Sequence, residues 1–189
     1  MVTAAESSSA SAAGATLAGR MGETTHRSPL RWRGQSLGMR KAWDLLALAV
    51  TRGCRHFVRI APTRLLREPE LTVLSNEELL GLLLSGANEY EPFLIRAAAE
   101  LLRATPFDAA RLAALARRER CARVLAYIAQ AGAAHDQPGA SFWKELLAAL
   151  GPQRPVPPGV LPHWTRFVAL EGMTRAGRDV RVRWIGAAA

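Results

Sequence analysis

His26, His56, His135 and His163, together with Cys54 and Cys121, are the side chains best suited to metal binding or nucleophilic chemistry. A zinc site needs several Cys or His ligands at close spacing. Cys54 and His56 form a single C-x-H pair with no second pair at the usual spacing, so neither a metal nor a cofactor is expected. A catalytic cysteine needs a thiol whose pKa is lowered by its surroundings. Cys121 instead falls on the apolar stripe of "CARVLAYIAQ" and reads as a small core residue. His135 and Asp136 lie in "GAAHDQPG", where a carboxylate beside an imidazole suggests a general base and turn chemistry accounts equally for the same residues. An enzymatic reading requires His135, His163 and a carboxylate to meet in one pocket. With no phosphate-binding or dinucleotide glycine fingerprint either, the expectation is a protein that is not an enzyme.

Arginines offer a different chemistry. Arg117 and Arg120 lie one helical turn apart, and Arg123 nearly continues the row, with Arg118 beside them. Planar guanidinium groups in a row suit phosphates and carboxylates. Near the other end, "DVRVRWIG" alternates Arg181 and Arg183 with Val180, Val182 and Trp184. These six arginines form the candidate binding surface. The competing reading of the first four is an ordinary solvated helix face, since Glu100 and Glu119 are interspersed.

The net charge of +9 and pI near 11.1 point toward a polyanion. Two features weaken that inference. Of 25 basic residues, 23 are arginine and only Lys41 and Lys144 are lysine, a pattern that GC-rich coding also produces. The charge is also segregated: residues 1–67 carry +8, residues 68–162 carry −2, and residues 163–189 carry +3. The most core-forming stretch is therefore nearly neutral.

The elements that must position these groups read as mainly α. "MRKAWDLLALAVT" suggests a helix with Trp43, Leu46, Ala47 and Val50 facing inward. Ser75 and Glu78 form a capping box, with Leu74 and Leu79 as its hydrophobic staple, and Gly86 stops that helix. Pro92 opens the next, where Phe93, Leu94, Ala97, Ala98, Leu101 and Leu102 form an apolar stripe. Thr105 is expected to cap a third, with Pro106 at its first position and Asp108 at its third. A fourth runs over 119–131 to Gly132, and a fifth runs from a Ser141 cap to Gly151. Helix starts at 76 and 106 lie 30 residues apart, as do "FLIRAAAELL" and "RVLAYIAQAG". That spacing describes stacked helical hairpins, in a short α-solenoid-like array or an irregular helical bundle.

The flanks differ. Residues 1–38 have low complexity and read as a disordered tail, residues 39–70 as a helix and linker, and residues 71–151 as the helical domain. "PQRPVPPGVLP" is a proline-rich connector over 152–162, expected to lie on its own domain. Residues 163–186 hold two period-2 runs around a glycine-containing turn, a C-terminal β-hairpin whose Val180, Val182 and Trp184 should cover the helices. No apolar run reaches the ~20 residues of a membrane span, and two isolated cysteines suit a reducing, cytoplasmic setting. The expected function is a helical module that binds another protein. The alternative is a nucleic-acid-binding protein using the arginine-rich N-terminal arm and the Arg117–Arg123 face.

Overall fold

The computed structural model describes residues 15–58, 73–171 and 181–187. Among these residues, eight α-helices precede a two-stranded antiparallel sheet: α1 (Leu17–Arg20), α2 (Pro29–Ser36), α3 (Ala42–Thr51), α4 (Asn76–Leu83), α5 (Pro92–Ala104), α6 (Ala109–Arg118), α7 (Ala122–His135), α8 (Ala140–Leu150), β1 (Val168–Glu171) and β2 (Arg181–Trp184).

Local chemistry sets several of these boundaries. Ser75 Oγ accepts the Glu78 N–H at 3.1 Å, and Glu78 Oε2 accepts the Ser75 N–H at 2.9 Å, so α4 begins at the expected box. Pro92 opens α5, where its missing N–H removes no helical bond. Gly151 ends α8 at φ +67°, a conformation that other residues adopt only with strain. The start of α6 departs from expectation. Asp108, not Thr105, is the cap, accepting the Arg111 N–H at 2.9 Å, while the Thr105 hydroxyl bonds back to the Leu101 carbonyl at 3.3 Å. Gly132 does not close α7 either. The helix runs through it to His135, and the Trp143 ring lies against its backbone, in space a Cβ would occupy. Ser141 is not a cap, since a 3-10 turn at Gln137–Gly139 leads directly into α8.

The hairpins α4–α5 and α6–α7 pack internally, and α4 rests on α6, which in turn rests on α8. The first helices of the hairpins thus stack in the order α4, α6, α8 that the 30-residue spacing implies. Small residues at Ala97, Ala98, Ala113, Ala116 and Ala129 are fully buried and let the helices approach closely. Helix α3 packs on α4 and α5, burying Leu45 through Ala49. Trp43, expected to face inward, is 44% exposed and stacks on Phe93 with ring centroids 4.8 Å apart. It sits in the first turn of α3, where the helix is only partly covered.

Residues 15–38 depart most from the sequence reading. They belong to the folded domain, with Leu17, Ala18, Met21 and Leu30 buried. Backbone bonds fasten them to the α4–α5 loop: Leu17 N–H to Asn88 O at 3.0 Å, Ala18 N–H to Gly86 O at 2.9 Å, and Tyr90 N–H to Ala15 O at 2.7 Å. These partners lie about 70 positions away in sequence, which is why no local pattern announces them. Residues 1–14 of the expected tail lie outside the described residues.

The sheet pairs Val168 with Trp184 and Leu170 with Val182. Trp184 is buried against Trp143 and Phe167, at centroid distances of 5.1 and 5.6 Å, and donates its indole N–H to Ala99 O at 2.8 Å. Val182, expected beside it on the covered face, is 49% exposed. The hairpin is anchored at its base by Phe167, Trp184 and Ile185, and helix cover does not extend to Val182. Val180 lies outside the described residues. The proline-rich connector runs along α7, where the Tyr127 hydroxyl donates to Pro162 O at 3.0 Å.

Candidate functional site

The arginine row divides by role. Arg123 is a structural clamp. It donates to Met21 O at 3.1 Å and to Arg154 O at 3.1 Å, bonds Pro155 O, and pairs with Glu23 at 3.0 Å, joining the N-terminal segment, α7 and the connector. Arg117 donates to Ala149 O at 2.7 Å and ties α6 to α8. Arg118 lies 3.3 Å from Glu119, a buried carboxylate that also accepts the Ser28 hydroxyl. Arg120 closes α6 at φ +55°, the one non-glycine residue at positive φ among the described residues. Arg117, Arg120 and Arg123 line a groove of about 680 Å³ together with Glu23 and Arg154. Among the described residues, no hydrogen bond or ion pair holds the Arg120 or Arg154 side chain. Arg183 is separate, lining a hollow under the hairpin with Glu100 and Arg103. The Arg181 side chain lies outside the described ones.

A second recess was not evident from sequence. The 3-10 turn Arg55–Phe57, the start of α5, and the end of the connector enclose a cleft of about 500 Å³. Phe57, Tyr90 and Phe93 supply aromatic walls, and Arg96, Arg166 and His163 supply polar groups. Arg96 Cζ stands 5.9 Å from the Phe57 ring centroid, and the Arg96 Nε is buried with no hydrogen-bond partner. Burial first, then the charge of Arg166, hold the Arg96 guanidinium below its ordinary value, while Glu100 acts the other way. Burial and the Arg96 charge likewise lower His56. No carboxylate is among the cleft's described lining. Arg96 and Arg166 are 70 positions apart. The available signal was an arginine inside "FLIRAAAELL", a helix stretch whose one other charged residue is Glu100.

His135 and His163 both lie against the Trp164 indole. His135 stacks on Trp164 with centroids 3.7 Å apart, and the His163 ring centroid is 5.4 Å from the same indole. Asp136, adjacent to His135, gives its carboxylate to Trp143 Nε1 at 2.7 Å and to Arg103 at 2.6 Å instead. The His135, His163 and carboxylate constellation is therefore not assembled through Asp136. Both cysteines are buried. Burial raises the Cys121 thiol to about 12, with Glu119 adding to it, and burial also raises Cys54. Among the described residues no group of three His, Cys, Asp or Glu side chains is placed to hold a metal ion, and no helix is long and apolar enough to cross a membrane.

The chain matches no family model, no curated protein and no solved structure.

Proposed function

We propose that the protein is a non-enzymatic helical module that binds another protein, in a cytoplasmic setting. The observation that carries this reading is Trp32, whose side chain on α2 is 74% exposed. Tryptophan holds more apolar surface than any other residue, and it is over-represented among the residues that dominate protein interfaces. Trp43 adds a second exposed indole, held rigid by its stack on Phe93, and a hollow of about 410 Å³ lined by Arg31, Lys41, Glu89 and Glu91 opens beside it. Preorganised aromatic surface ringed by charge loses little side-chain entropy on docking. The test is affinity capture from native-host lysate with the wild-type chain and with a Trp32→Ala, Trp43→Ala double variant. A stoichiometric protein retained by the first and lost with the second supports the reading. No stoichiometric partner across salt conditions overturns it.

A second reading is supported by the groove between Arg117 and Arg154. Its two unengaged guanidinium groups, with exposed Arg118 nearby, suit a phosphate backbone. Random DNA or RNA should then bind at ~50 mM salt and dissociate steeply as salt rises. No salt-dependent binding rules it out.

A further inference from the structure

We propose that the cleft between the Arg55–Phe57 turn, α5 and the connector is a binding site for a small organic anion with an apolar body. The carboxylate or phosphate head lies between Arg96 and Arg166, and the body lies against Phe57, Phe93 and Leu161.

Three independent features select this chemistry. The first is size and lining. The cleft holds about 500 Å³ and combines aromatic and proline walls with a few converging polar groups, the composition of small-molecule sites generally. A bare inorganic ion would leave those walls unused.

The second is charge. Arg96 and Arg166 project into one recess, and no carboxylate is among its described lining. Glu100 lies one turn along α5 from Arg96, yet the two form no ion pair. The Glu100 carboxylate accepts the His56 N–H at 3.0 Å, and its Oε2 is buried without a hydrogen bond. Two neighbouring guanidinium groups repel, and an anion between them replaces repulsion with attraction.

The third is an unmade bond. Arg96 Nε is buried and has no partner. A buried donor left unsatisfied is costly and uncommon in folded proteins. Arg presents Nε and Nη in a planar fork that matches the two oxygens of a carboxylate or phosphate. Among the described residues no hydrogen bond or ion pair engages the Arg96 guanidinium, which leaves its Nη groups to an oxyanion in the cleft.

The experiment titrates the full chain at low ionic strength with phenyl phosphate, 3-phenylpropionate, inorganic phosphate and benzyl alcohol, following backbone amide shifts. Saturable shifts at Phe93, Arg96, Gly159 and His163 are expected with phenyl phosphate or 3-phenylpropionate, and the stronger of the two identifies the head group. Inorganic phosphate should bind at least about tenfold more weakly, and benzyl alcohol should not saturate. Arg166→Gln, at an exposed position, should weaken the organic anion about tenfold with an unchanged melting temperature. Arg96→Gln should weaken it further, with its melting temperature recorded alongside. The proposal is overturned by no saturation up to about 10 mM of either organic anion. It is equally overturned by unchanged affinity in Arg166→Gln, by inorganic phosphate binding as tightly as phenyl phosphate, or by shifts confined to the Arg117–Arg154 groove. The titration uses no Trp32 or Trp43 variant, so its outcome does not rest on the protein-capture result.

Discussion

Arg103 Nε stands 2.6 Å from Asp136 Oδ2, joining the end of α5 to the cap of α7. The N–H is not aligned with the oxygen, so this is a close ion pair more than a directed hydrogen bond. The same oxygen accepts the Trp143 indole N–H at 2.7 Å, and the Trp143 ring covers Gly132. One buried carboxylate thus orients one of the two buried core tryptophans. Asp136→Ala should destabilise the fold by about 3 kcal/mol, since it strands a partly buried guanidinium and a buried indole N–H. Asp136→Asn, which keeps an acceptor, should cost less. Denaturant midpoints check both, and an unchanged midpoint for Asp136→Ala would show that the pair adds nothing.

Trp184 and Val182 occupy the same face of β2 and should respond very differently. Trp184→Ala removes a fully buried ring and its hydrogen bond to the Ala99 carbonyl, for a loss of about 3–5 kcal/mol. Val182→Ala should stay within about 0.5 kcal/mol, because its side chain is half in water already. Thermal melts of the two variants decide whether the hairpin is anchored at its base.

Arg123 makes the bonds that hold the Met21–Glu23 stretch and the Arg154–Pro155 stretch to α7. Arg123→Ala should speed limited proteolysis within residues 15–28 and 151–158 while α4 to α8 stay protected. Cleavage at the wild-type rate would mean that the buried Leu17 and Met21 suffice to hold the N-terminal segment.

Glu100 should give the fold a pH dependence. Burial raises its folded pKa above the usual carboxylate value, against the opposing effect of the His56 and Arg55 N–H groups and the Arg96 charge. A raised folded pKa means that the native state binds the proton more tightly than the unfolded chain. The associated stability is therefore complete below the unfolded carboxylate pKa and is lost as pH rises through the folded one. Glu100→Gln, which keeps an acceptor for the His56 N–H, should flatten this decline. Urea midpoints taken from pH 4 upward should then converge at low pH and favour the variant near neutrality. Parallel curves would exclude Glu100 as the source.

Cys54 and Cys121 should be inert in the native state. Both are buried, and their raised thiol pKa values leave little thiolate at pH 8. An aromatic disulfide reagent should label them no faster than the domain opens, with both reacting promptly in denaturant. Fast labelling of either thiol in the folded chain would contradict its burial.

The helices were legible because their signals are local. Ser75 and Glu78 are three positions apart, Pro92 and Gly151 act through their own φ, and the apolar stripes repeat within two turns. Each can be read from a short window, so the mainly helical class, the tandem hairpins and the closing β-hairpin followed from residue order alone. The sequence also determined the apolar and cationic materials of the surface. Tertiary structure alone decided how they were used. It turned Arg123 from a surface candidate into a clamp, placed residues 15–38 against the Gly86–Tyr90 loop, let Trp143 close over Gly132, and brought Arg96 and Arg166 to one cleft across 70 positions. Such pairings leave no period in the chain, because they depend on packing between elements whose relative placement is set by the whole core.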